Sequence, residues 1–167
     1  MQRVSTTTTG IERSTVATGR TYPALVAAFE RELGRLDPAV NARLVESRAP
    51  WSEVERQIDR AAGPHGLLIV GHADQGAIVS LSGRVIRCSL YLIGNPVIAA
   101  RILRIDIRAS LYVPFRVCLY DDEASGGGCI AFDRPSSFLA TLEQPELTEV
   151  GRLLDQKIDG VVAAVAR

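Results

Sequence analysis

YVPFRVCLYDDEASGGGCIAF, residues 112–132, alternates residue by residue, turns through a glycine run and resumes as a short apolar segment. From Tyr112 to Asp121 the alternation sets Val113, Phe115, Val117 and Leu119 on one face. Pro114, Arg116, Cys118 and Tyr120 fall on the other, which is the period-two signature of a half-buried strand. Ser125-Gly126-Gly127-Gly128 supplies a hairpin turn, and Cys129 to Phe132 is the returning strand. A hairpin joins antiparallel strands, so a sheet built around it is not a doubly wound parallel one.

Working outward, Val85 to Ile93 is a further strand. It splits into Ile86, Cys88, Leu90 and Leu92, expected to face the helices, and Arg87, Ser89, Tyr91 and Ile93, expected on a mixed face. Leu67-Leu68-Ile69-Val70, within 66–72, is a buried strand, and 74–83 is ambiguous between strand and loop. Ile11, Thr15, Val16 and Thr18 mark a first strand between Gly10 and Gly19. Helices are expected at about 22–36, capped by Thr21 and stopped by Asp37-Pro38, and after a Ser52/Glu55 capping box, ending at Gly63-Pro64. Asn95-Pro96 opens a third helix, with Ile98, Ala99, Ile102 and Leu103 inward. Pro145 opens the last, whose stripe Leu147, Val150, Leu154, Ile158, Val161 and Val165 runs essentially to Arg167. Clustered strands with a helical layer predict an α+β protein: a mainly antiparallel sheet with helices packed on one face. Residues 1–9 are expected as a flexible segment and 10–167 as a single domain.

Gly94-Asn95-Pro96 before a helix, Asp106, Val113-Pro114-Phe115-Arg116-Val117 into a strand, a glycine-rich turn and Asp133-Arg134-Pro135 form an ordered series. The series resembles the domain-of-unknown-function 302 family, over about Ile11 to Val165. Ile107 stands where that family usually has proline, and about 37–63 reads as an extra helical segment. The resemblance implies a TATA-binding-protein-like α+β fold and no established activity.

The chain has 167 residues, 47% of them hydrophobic, and nineteen Lys plus Arg balance nineteen Asp plus Glu. Zero formal charge argues against a nucleic-acid partner, whose binding needs a basic face, and against a polybasic membrane-surface protein. No apolar run is long enough to span a membrane, and the N-terminus lacks the apolar core of a secretory signal. Three cysteines without CxxC spacing fit a reducing compartment, so a cytoplasmic location is expected.

Two mixed strand faces in one sheet offer a ligand floor, with Arg87 and Arg116 as anion ligands and Tyr91 and Tyr120 as walls. The same faces also read as a solvated surface or as a homodimer interface, where Arg and Tyr are enriched. Asn95 marks a helix N-terminus able to hold a small anion or simply to cap itself. A guanidinium placed mid-strand at Arg116 needs a partner, and Asp106 and Asp133 are the expected carboxylates. His72 and Asp74, two apart on a strand, point the same way and are the one weak metal pair; His65 is the other histidine. Gly126-Gly127-Gly128 lacks the Gly-Lys-Ser/Thr ending of a phosphate loop. No catalytic residue is assigned, and the cofactor is unknown. The expected function is a non-catalytic module that binds a small molecule or assembles with itself. The alternative is an enzyme using Arg116 as anion ligand and a histidine as base.

Overall fold

A computed structural model describes residues 4–166. In chain order it forms β1 (Arg13–Ala17), α1 (Tyr22–Arg31), β2 (Gly34–Arg35), α2 (Pro38–Glu46), α3 (Trp51–Ala61), β3 (Leu68–Asp74) and α4 (Gln75–Val79). There follow β4 (Cys88–Gly94), α5 (Pro96–Ile105), β5 (Phe115–Asp122), β6 (Gly127–Asp133), α6 (Pro135–Ala140) and α7 (Pro145–Val165). Short 3-10 turns at Ser80–Ser82 and Ile107–Leu111 fill two of the connections. The strands make one sheet in the order β1-β6-β5-β4-β3-β2, antiparallel except where β2 joins β3. The protein is therefore a single α+β domain, as expected. Residues 4–9 form no helix or strand, while the remainder of the expected 1–9 segment and Arg167 lie outside the described residues.

One face of the sheet carries the core. Leu25 and Phe29 of α1, Ile102 of α5, Phe138 and Leu139 of α6, and the whole predicted stripe of α7 bury against it. From the strands come Tyr91, Ile93, Phe115, Val117, Leu119, Ile130 and Phe132.

Register corrects the expected faces of β4. Tyr91 pairs with Val117 and Ile93 with Phe115, so Ser89, Tyr91 and Ile93 belong to the core face. Leu90 and Leu92 sit opposite Cys118 and Arg116, on the open face. Both sides of this strand are apolar, and alternation alone cannot say which one meets the helices.

Four local expectations also change. The first helix ends at Arg31, and Gly34-Arg35 becomes a strand pairing with Leu68-Ile69. A Cβ on Gly34 would lie 1.7 Å from the Ala61 carbonyl oxygen, so a glycine is required where α3 closes over β2. Asp37-Pro38 starts a helix rather than stopping one, with the Asp37 carboxylate accepting from Ala39 N–H at 2.8 Å. Thr21 and Ser52 make no capping bond; α3 begins at Trp51, whose indole N–H donates to Glu55 at 2.8 Å. Finally, 75–82 is helical, neither strand nor plain loop.

Candidate functional site

At the end of the sheet where β4 stops and β5 starts, a cavity of about 220 Å³ lies beneath α5. Ile93, Gly94, Val113, Pro114 and Phe115 form its sheet wall. Ile98, Ala99, Ile102 and Leu103 of α5 form its roof, with Leu154 of α7 behind. Val70, exposed at a β-bulge in β3, and the exposed Pro114 flank it at the surface.

Asn95 is the one polar side chain among the lining residues, and both of its polar atoms are engaged by backbone groups of the fold. Its Oδ1 accepts from Val97 N–H at 2.9 Å and Ile98 N–H at 3.3 Å, fixing the start of α5. Its Nδ2 donates to the Gly66 carbonyl at 2.9 Å, tying α5 to the entry of β3. Asn-Pro thus caps the helix as the sequence implies. Every other side chain that lines the cavity is apolar.

The residues expected to form a ligand floor do not share one surface. Arg116 and Tyr120 lie on the open face, whereas Tyr91 is fully buried on the core face beneath α1. Tyr91 packs edge-on against Phe29 at 5.2 Å and donates to Glu30 Oε1 at 3.0 Å; burial, then that bond, raises its pKa. Arg87 precedes β4 and pairs with Asp121 at 2.9 Å. Arg116 is exposed, and among the described residues no partner contacts it. Asp106 instead binds Arg108 at 2.6 Å, and Asp133 binds Arg13 at 2.7 Å. The expected carboxylate partner of Arg116 is therefore corrected: at the surface, water solvates the guanidinium, and no protein acceptor is needed.

His72 and Asp74 do lie on one face, opposite Tyr91 and Ser89. His72 stacks on the Tyr91 ring at 4.5 Å, and Asp74 caps α4 by accepting from Ala77 N–H at 3.0 Å. Among the described residues no three His, Cys, Asp or Glu side chains converge in a metal-ligand group. His65, at the turn into β3, faces Glu32 at 3.4 Å. Neither histidine lines the small cleft that holds Arg116, so the Arg–His constellation of the alternative, enzymatic reading is not assembled there. On the open face Cys88 and Cys118 bring their Sγ atoms to 3.6 Å, and burial with the neighbouring thiol pushes Cys118 up to about 12.

The sequence carries a signal for this cavity in two of its motifs. Gly94-Asn95-Pro96 ends one strand and Val113-Pro114-Phe115 begins its antiparallel neighbour. Ends of that kind must meet in space. The third motif does different work: Arg134 binds Asp159 at 2.5 Å and Asp155 at 3.5 Å, clamping α6 to α7.

A single, mainly antiparallel sheet with its core beneath the helices, and an apolar cavity at the β4–α5 corner, defines a small α+β domain. The sequence matches the family described as Domain of unknown function DUF302 over residues 44–165, and the chain belongs to that family. The match starts within α2, so α3 is part of the family's span and is not an extra segment. A crystal structure titled as an uncharacterized conserved protein DUF302 from Bacillus stearothermophilus has a similar fold, with a TM-score of 0.64 at 13% identity. The similarity covers 92% of this chain and 97% of that one. No curated protein matches the chain. No helix among the described residues is long and apolar enough to cross a membrane.

Proposed function

We propose that this chain is a non-catalytic module that takes a small, neutral, apolar molecule into the cavity beneath α5. One observation carries the reading: two separate motifs of the chain, Gly94-Asn95-Pro96 and Val113-Pro114-Phe115, line one apolar cavity at a strand-end corner. A hydrocarbon-lined cavity of about 150 Å³ already accommodates benzene, so about 220 Å³ suits a single ring or a short branched chain. A charged ligand is disfavoured, because Val97 and Ile98 N–H already donate to Asn95 and no cationic side chain lines the space. The small anion expected at Asn95 gives way to an apolar ligand, and Arg87, Tyr91, Arg116 and Tyr120 are not part of this site. A cytoplasmic setting belongs to the same reading, supported by the odd cysteine count.

Self-association as a homodimer is a second reading, supported by Leu90, Leu92, Cys118 and Tyr120, half-buried on the sheet face opposite the helices. Native mass spectrometry of the protein purified from its own host tests both readings. A retained adduct of a few hundred daltons or less supports the ligand reading, and a mass of two chains supports the dimer. A bare monomer counts against both.

A further inference from the structure

We infer that the arm of residues 75–86 is a self-association surface and that its partner is a second copy of this chain. The inference deepens the homodimer reading and does not depend on the cavity.

The arm displays large apolar side chains to solvent. Ile78 is 72% exposed, Leu81 84% and Val85 74%, with Val79 and Ile86 exposed beside them. Scattered exposed leucines are ordinary, but five exposed large hydrophobics within nine residues are a concentration of the kind that marks contact surfaces. The arm is also braced against the chain that returns from it. Gly76 lies so close to the returning chain that a Cβ there would sit 2.4 Å from the Ile86 carbonyl oxygen and 2.7 Å from Cys88 N. Ser80 Oγ donates to the Gly76 carbonyl at 2.7 Å and accepts from Ile86 N–H at 2.9 Å. A surface fixed before contact loses little entropy on binding.

Charge selects the occupant. In the cleft beside the arm, Arg84 and Arg87 lie with Asp121, Asp122 and Glu123 of the β5–β6 turn. Arg87 is bound to Asp121, and Asp122 accepts from the turn's own Ala124 and Ser125 N–H groups. Among the described residues the Arg84 and Glu123 side chains make no hydrogen bond or ion pair; Glu123 is held only through its carbonyl, which accepts from Gly126 N–H. Arg84 is left without a carboxylate, and Asp122 and Glu123 without a cation, so the patch is complementary to itself across a two-fold axis, where Arg84 of each copy meets Glu123 of the other. The chain's zero net charge sets up no long-range repulsion between copies. Three carboxylates in the same patch disfavour an anionic lipid surface.

Sedimentation velocity of the full chain across micromolar concentrations tests the surface. The wild type is expected to dimerise, and Leu81→Glu and Val85→Glu each to weaken the dimer by about tenfold or more. Arg84→Glu and Glu123→Arg are each expected to weaken it, and the Arg84→Glu/Glu123→Arg double variant to recover most of the loss. Melting curves confirm folding, and if a glutamate variant unfolds, the charge-swap series decides alone. A wild type that stays monomeric, with or without binding to neutral or anionic vesicles, overturns both this inference and the homodimer reading. A dimer that none of these variants weakens overturns the arm while leaving dimerisation in place. A double variant no tighter than either single one overturns the two-fold pairing.

Discussion

Arg116 is the second residue of β5, exposed, and touches no carboxylate among the described residues. Arg116→Ala is therefore expected to leave the denaturant midpoint unchanged, and a clear drop in an equilibrium melt would reveal an ion pair. Asn95 is the opposite case, with three hydrogen bonds joining the α5 start to the turn before β3. Asn95→Ala is expected to cost roughly 1–2 kcal/mol in the same measurement. Cys118 gives a chemical test. Burial and the neighbouring Cys88 thiol push the Cys118 thiol up to about 12, so the reactive thiolate is scarce at pH 8. Peptide mapping after brief native alkylation at that pH is expected to find Cys118 unmodified. The Asn95 cap was legible because a cap is a local event: an Asx residue, a proline and an apolar run. The solvation of Arg116 was not, since it depends on which face of the sheet lacks helices, and that is decided by residues far along the chain.

Among the elements, the β5–β6 hairpin and α7 were readable because alternation and the three-four stripe persist for many residues. β4 was read inside out because Leu90 and Leu92 are as apolar as Tyr91 and Ile93. Only pairing with β5 settles the side, and register is a property of two strands. The false extension of α1 has a similar origin. Leu33 and Leu36 keep a helical spacing, but the space is claimed by α3, whose Ala61 carbonyl crowds Gly34. Gly34→Ala is expected to destabilise by roughly 3 kcal/mol or more, seen as an earlier denaturant midpoint. Helix α2 buries no residue, whereas α7 buries eight. Native-state hydrogen exchange is accordingly expected to strip α2 amides well before those of α7.

For the molecule as a whole, the helical layer and the open face divide the work. The covered face holds the core and, at its β4–β5 corner, the cavity; the far side and the α4 arm are the surfaces on which the proposed self-association rests. Each motif was visible in the sequence as a cap or a strand start. Their meeting around an empty apolar volume was not, because a cavity is defined by side chains from α5, α7 and two strands together. The most direct test is an NMR titration of the labelled protein with benzene and indole, paired with Ala99→Phe, which fills the roof of the cavity. Saturable shifts centred on Gly94, Asn95, Val97 and Phe115 are expected in the wild type, and none in a folded Ala99→Phe. Shifts that never saturate, or that persist unchanged in Ala99→Phe, would contradict a ligand site beneath α5.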